Sequence, residues 1–217
     1  MEAFLITGTD TGVGKTFIAY NLALALKEKG YDVGCFKPVE TGVSDKPEDG
    51  SLLASATGQD LEEVVPFRAK SPLAPYSAIL EGELSLKKEM ILEQFSKITG
   101  KYEYILVEGA GGIAVPILKN YTYADLAKDL SLGLIIVARA GLGTINHTFL
   151  TVEFARSKGL KIAGLVLNGF EGMDPSEKTN PRVIYEMTGL KPLCIRKYDS
   201  FNIPQEERSA LLNLVGL

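Results

Sequence analysis

The segment Gly8-Thr9-Asp10-Thr11-Gly12-Val13-Gly14-Lys15-Thr16 places three glycines, a lysine and a terminal hydroxyl within nine positions. Glycines let backbone N–H groups curl around phosphate oxygens, and a helix starting directly after them adds the positive end of its dipole. Gly12, Val13 and Gly14 would form the cradle, Lys15 would neutralise β/γ-phosphate charge, and the Thr16 hydroxyl would ligate Mg²⁺. Five residues separate Gly8 from Gly14, one more than in the common pattern G-x-x-x-x-G-K-[ST]. The alternative is a Gly/Thr-rich turn opening an ordinary helix. Strand, loop, Gly-Lys-Thr and helix in the required order favour nucleoside triphosphate binding.

Three further constellations could do chemistry beside such a loop. In Phe36-Lys37-Pro38-Val39-Glu40-Thr41-Gly42, Lys37 closes an apolar strand at the end where open α/β sheets place ligands, with the Thr41 hydroxyl close by. Leu106-Val107-Glu108-Gly109-Ala110-Gly111-Gly112 puts a carboxylate at a strand terminus, a place from which P-loop proteins commonly hold Mg²⁺. Asp49 is a second acidic candidate, although an isolated aspartate is usually solvated. Arg139-Ala140-Gly141-Leu142-Gly143-Thr144-Ile145-Asn146-His147 offers glycines before a helix, whose N–H groups could receive a substrate carboxylate. His147, the single histidine, has no triad partner and reads as structural.

The elements that must position these groups follow a strand–helix alternation. Strands are expected at Ala3–Thr7, Asp32–Pro38, Tyr104–Val107, Leu134–Arg139 and Lys161–Leu167, and a weaker one at Pro192–Arg196. Their nearly continuous hydrophobicity belongs to parallel strands covered on both faces. Helical periodicity covers Lys15–Lys29, Leu84–Ile98, Tyr123–Leu130, Asn146–Ser157 and Pro181–Thr188, and Gly42–Gly50 and Gly169–Asn180 read as surface loops. The fold class expected is α/β, a three-layer sandwich with a mainly parallel sheet, P-loop NTPase-like.

At 217 residues the chain is expected to form a single domain, 1–217. Its 23 basic and 27 acidic residues leave a net charge of −4, which argues against nucleic acid or anionic membranes as partners. Cys35 and Cys194 are far apart, so neither a zinc site nor a disulfide framework is expected. The N-terminal stretch lacks a basic start and an apolar core of about 7–15 residues, so a cytoplasmic location is expected. The apolar run near Leu132–Ala138 is too short to span a bilayer.

Taken in order, the phosphate loop, Lys37-Pro38-Val39-Glu40-Thr41-Gly42, Val107-Glu108-Gly109-Ala110-Gly111-Gly112 and Leu142-Gly143-Thr144-Ile145-Asn146-His147 resemble the dethiobiotin synthetase family. Ser71-Pro72-Leu73-Ala74-Pro75 and Glu81-Gly82 extend the likeness, and the longer loop is typical of that family. The resemblance implies that 7,8-diaminopelargonate, CO2 and ATP give dethiobiotin, ADP and phosphate, with Mg²⁺ as cofactor and a homodimer as the assembly. It implies phosphate contacts for Thr11 and Lys15, and places Lys37 near the carbamate and the transferred phosphoryl group. It further implies nucleotide contacts for Gly12 to Phe17, Glu108, Gly109, Ala110, Gly111 and Asn168. Thr16, Asp49 and Glu108 would hold Mg²⁺; Thr41 would touch substrate, and Gly143, Thr144, Ile145 and Asn146 would receive its carboxylate at or beside the interface.

One segment departs from the family pattern. A Gly-x-Ile-Pro-like turn that frames the base is replaced by Pro192-Leu193-Cys194-Ile195-Arg196-Lys197-Tyr198, so relaxed selectivity among nucleoside triphosphates is expected. Two other readings compete. A cobyrinate diamide synthase-like enzyme would usually carry an attached glutaminase, for which this chain has no room. A ParA/MinD-type switch would typically carry an early second lysine where Thr9, Asp10 and Thr11 stand.

Overall fold

Aliphatic runs bounded by glycine and polar turns become strands, and the segments between them become helices that cover the sheet. The computed structural model describes residues 1–217. In chain order the elements are β1 (Glu2–Gly8), α1 (Lys15–Glu28), β2 (Val33–Phe36), β3 (Val39–Thr41), α2 (Glu48–Thr57), α3 (Leu61–Val64), β4 (Phe67–Ala69), α4 (Pro75–Leu80) and α5 (Lys88–Ile98). They continue with β5 (Tyr104–Gly112), β6 (Pro116–Leu118), β7 (Tyr121–Thr122), α6 (Tyr123–Asp129), β8 (Gly133–Arg139), α7 (Thr144–Ser157), β9 (Ile162–Phe170), α8 (Asn180–Thr188), β10 (Leu193–Arg196) and α9 (Gln205–Ala210). Short 3₁₀ segments occupy Pro175–Lys178 and Leu211–Val215.

The central sheet has six parallel strands in the order β10-β9-β8-β1-β5-β2. β1 lies inside it, with Leu5 opposite both Val107 of β5 and Leu134 of β8. Successive residues of a strand face opposite sides, and the cores divide accordingly. Phe4, Ile6, Leu106, Ile135 and Val137 pack with Ile18 and Leu22 of α1, Leu53 of α2 and Leu211 and Leu214 near the C-terminus. Leu5, Ile105, Val107 and Leu134 pack with Ile91 and Phe95 of α5 and Leu126 of α6. Ile136, Leu165 and Leu167 meet Val152 of α7 and Ile184 of α8. The expected three-layer α/β sandwich is therefore what forms.

The structure corrects several boundaries. The strand expected at Asp32–Pro38 stops at Phe36, and Val39–Thr41 leaves the central sheet to pair in parallel with Phe67–Ala69. Lys37 stands at the crossing, its backbone N–H donating to Val64 O at 2.7 Å. β5 does not end at Val107; Glu108 lies within it, opposite Ile6, and the strand runs on to Gly112 opposite Gly8. The helix expected from Leu84 begins at Lys88, because Leu84 and Leu86 bury themselves from an extended segment in which alternate residues face the core. The two expected loops are partly ordered: Glu48, Asp49 and Gly50 open α2, Gly169 and Phe170 finish β9, and Pro175–Lys178 makes a 3₁₀ turn.

Candidate active site

The phosphate-type loop joins β1 to α1 as its sequence requires. Gly14 is the N-cap of α1 with φ 93°, a left-handed conformation that costs a residue with a Cβ roughly 1–2 kcal/mol. It also has no room for one, since a Cβ there would lie 2.1 Å from Asn168 Nδ2. That amide donates to Val13 O at 3.0 Å, fastening the loop to the end of β9. Thr9 N–H donates to Val137 O at 2.9 Å, and Arg139 pairs with Asp10 at 2.9 Å. The loop is thus tied to β8 and β9 by the protein's own groups.

Lys15 is buried, and its Nζ donates only to the carbonyl of Asp10, at 3.3 Å. Burial lowers its pKa, and the pull of Glu108, offset in part by the nearby Lys37, does not restore it. A buried ammonium with so little compensation is poised for an anion. Lys37 has the opposite surroundings. Burial acts to lower its pKa as well, but Glu108 at 2.5 Å and Asp49 at 2.7 Å outweigh it and hold the ammonium above its ordinary value.

Thr16, Asp49 and Glu108 converge on the same spot. Thr16 Oγ1 donates to Glu108 Oε1 at 2.9 Å, the oxygen that also accepts from Lys37. Glu108 Oε2 is buried with no hydrogen-bond partner, which is costly for a carboxylate oxygen in the interior. Burial pushes the Asp49 carboxyl up, but Lys37 and Thr16 together bring it below the usual range. An orphaned carboxylate oxygen beside a second carboxylate and a hydroxyl is a hard-oxygen set that fits Mg²⁺.

Most of the expected residues share one cavity of about 520 Å³, lined by Thr11, Gly12, Gly14, Lys15, Thr16, Phe17, Lys37, Thr41, Asp49, Glu108, Ala110 and Gly111. The remaining expected residues are placed differently. Val13 is in the core, Gly109 packs against Tyr123, and Asn168 faces a second cavity of about 240 Å³ that shares Phe17 and Phe201 with the first. Gly143, Thr144, Ile145 and Asn146 line neither cavity. They form the start of α7, where Leu142 N–H donates to Asp174 Oδ2 and Asn180 Nδ2 donates to Ala140 O. His147 also lies on α7, away from both cavities.

Some lining residues escaped the sequence reading. Glu40 and Phe201 both face the main cavity. Glu40 stands inside the quoted Lys37–Gly42 segment, but its contacts are with α2, which local patterning did not reveal. Phe201 reaches the site because Asn21, buried in α1, donates to Phe201 O at 2.9 Å and accepts from Ile203 N–H at 3.2 Å. No feature of the sequence around Phe201 announces that docking. Phe17 and Tyr20 meet the Phe201 ring edge to face, with centroids 5.5 and 5.3 Å apart.

Comparison with known proteins agrees with this arrangement. A family model described as an AAA domain matches residues 2–199. The ATP-dependent dethiobiotin synthetase BioD of Aquifex aeolicus is 57% identical over 97% of this chain and 96% of its own length. Its namesakes from Bacillus licheniformis and Bacillus subtilis strain 168 are 48% and 47% identical, each over 90% of this chain and over 85% and 87% of their own lengths. On this identity, sustained across nearly the whole length, the chain belongs to the ATP-dependent dethiobiotin synthetase family.

Proposed function

We propose that this chain closes the ureido ring of dethiobiotin from 7,8-diaminopelargonate and CO2 at the expense of ATP, a step of biotin biosynthesis. One observation carries the reading: a cavity at the carboxyl end of a parallel sheet holds two buried lysines of opposite electrostatic character beside Thr16, Asp49 and Glu108. The first amine bonds to CO2 and loses a proton, giving a carbamate. A carbamate oxygen then takes the γ-phosphoryl group as the bond to ADP breaks. The second amine attacks the carbamoyl carbon, and phosphate leaves as the ring closes.

No protein nucleophile is required, so the chain positions reactants and balances charge. The backbone of Gly12, Gly14 and Thr16, with Thr11 and Lys15, faces the triphosphate, and the Lys15 ammonium, buried and hydrogen-bonded only to the Asp10 carbonyl, supports that role. Lys37, between β2 and β3, faces the carbamate and the phosphoryl group in flight, with Thr41 beside the diamine. Bound Mg²⁺ would be held by Thr16, Asp49 and Glu108 and would supply charge neutralisation to phosphate oxygens. Glu108, Ala110 and Gly111 form the opposite wall, Gly109 is set behind them against Tyr123, and Phe17 with Asn168 leads to the base.

Gly143 to Asn146 stand apart from the cavity of their own chain, which fits a homodimer in which this backbone receives the substrate carboxylate near the interface. The exposed Leu142, Leu150 and Met173 around α7 support such a contact. No helix is long and apolar enough to cross a membrane, and we place the protein in the cytoplasm. Incubation with diaminopelargonate, bicarbonate, Mg²⁺ and ATP should give dethiobiotin by mass spectrometry, with one ADP per product. ATP loss without dethiobiotin would overturn the proposal in favour of a different acceptor.

A further inference from the structure

Helix α2 begins in an unusual way. Its N-cap is Pro47, which has no side-chain oxygen to offer the first-turn N–H groups. The two oxygens come instead from Glu40, on β3 and ahead of the loop. Glu40 Oε1 accepts from Asp49 N–H at 3.1 Å and Oε2 from Gly50 N–H at 2.8 Å. Glu40 is 5% exposed, and a carboxylate so placed is held by those two bonds and by the positive end of the helix dipole. Gly50 keeps the contact close, since a Cβ there would lie 2.1 Å from Val65 Cγ2 and 3.2 Å from Glu40 Oε2.

Asp49, the residue whose N–H Glu40 holds, is the one whose carboxylate meets Lys37 Nζ at 2.7 Å. Lys37 and Glu40 flank Pro38 and Val39 on one short stretch, so a single segment supplies both the lysine and the clamp for that lysine's partner. The preceding loop joins Asp49 to Thr41 through the exposed Ser44, Asp45 and Lys46, with Pro47 buried just before the helix, and Glu40 is the side chain that holds the Asp49 N–H. We infer that Glu40 is a positioning residue, acting through the backbone of Asp49 to set the carboxylate that Lys37 and a bound divalent cation share. The inference rests on the assignment of Asp49 to the metal and Lys37 to the phosphoryl group.

Glu40→Gln tests it with little change of shape, since the amide offers one acceptor where the carboxylate offered two. Mn²⁺ binding in the presence of ADP, followed by electron paramagnetic resonance, should weaken about tenfold, the scale of one lost charge-assisted hydrogen bond. ADP affinity without a divalent ion should stay within about twofold, because the phosphate loop makes no contact with Glu40. Half-saturating Mg²⁺ for turnover should rise in parallel, and Glu40→Asp, one methylene shorter, should fall between wild type and Glu40→Gln. In the double variant with Asp49→Asn, Glu40→Gln should add almost nothing to the metal defect. Unchanged Mn²⁺ affinity, or full additivity with Asp49→Asn in a variant that has merely lost thermal stability, would overturn the positioning role. A wild-type enzyme that binds Mn²⁺ and ADP yet forms no dethiobiotin would count against the proposed reaction and leave the Glu40 comparison decisive.

Discussion

Two lysines in one cavity serve under opposite electrostatics, and substitution should separate them. Lys15 has little compensation in its buried setting, so Lys15→Ala leaves β/γ-phosphate charge unopposed and should cut kcat/KM on the order of 10²-fold or more. Near-normal turnover of the purified variant would remove it from the phosphate role. Lys37, between β2 and β3, belongs to an ion cluster with Asp49 and Glu108. Lys37→Ala should leave nucleotide affinity nearly intact while single-turnover phosphoryl transfer is lost, and the reverse pattern would show that its role was misread. The cluster also sets a pH dependence. The Lys37 pKa is raised from 10.5, so its contribution to stability is fully present below that value and is lost only as pH rises through the folded one. The Asp49 pKa is lowered from 3.8, so its contribution is present above that value and lost as pH falls through the folded one. Urea midpoints should therefore show no change from this pair across neutral pH. Asp49→Asn should flatten part of the fall below about pH 4, and an acid limb identical to wild type would contradict the assignment.

At the scale of elements, legibility followed how local each signal is. β1, the glycine-rich loop and α1 carry their own instructions: an aliphatic run, residues free to adopt positive φ, then helical spacing. Helix α2 does not. Its start is capped from β3 by Glu40 and follows Pro47, so no capping residue marks it in the sequence, and Asp49 looked like part of a loop. The extension of β5 through Glu108 was hidden for a similar reason, because the glycines after it suggest a turn until β1 supplies a partner for pairing. Gly14 shows how tightly neighbouring elements are fitted. Gly14→Ala would strain a left-handed residue and drive a methyl group into the Asn168 amide that holds Val13. It should lower stability by about 1–3 kcal/mol and abolish nucleotide binding, measured by thermal melting with and without ATP. A variant that melts like wild type and is stabilised by ATP to the same degree would mean that the loop tolerates a shifted anchor.

At the scale of the whole molecule, the sandwich architecture and family could be read because the central strands other than β10 are mostly apolar on both faces and the motifs recur in order. The seat of the C-terminal segment could not, since Asn21 and Phe201 meet across 180 residues of sequence. That seat bears on nucleotide choice. Asn168 already donates to Val13, Lys197 pairs with Glu171, and Ser200 bonds Asn202, so these polar groups around the second cavity are already engaged within the chain. What remains facing the cavity includes Arg196 and Asp199 together with the aromatic side chains of Phe17, Tyr198 and Phe201, and the rings would stack on any base without reading its edge. GTP or CTP should be used within about tenfold of ATP, a gap of about 1.4 kcal/mol. Initial kcat/KM values at saturating diamine, bicarbonate and Mg²⁺ check this, and an ATP preference beyond a hundredfold would show that the cavity reads adenine after all.

The interior position of β1 has a further consequence, in time instead of space. β1 needs neighbours on both sides, and these are β5 and β8, whose paired residues are made more than a hundred positions later. At a synthesis rate of about 5–20 residues per second, the strand and its glycine-rich loop wait on the order of ten seconds before β8 has emerged. Until then the aliphatic run Phe4-Leu5-Ile6 has no second partner, and the loop lacks the carbonyl of Val137 that receives Thr9 N–H. The glycine-rich loop therefore gains its last ties, to Val137 of β8 and Asn168 of β9, only when those late strands arrive.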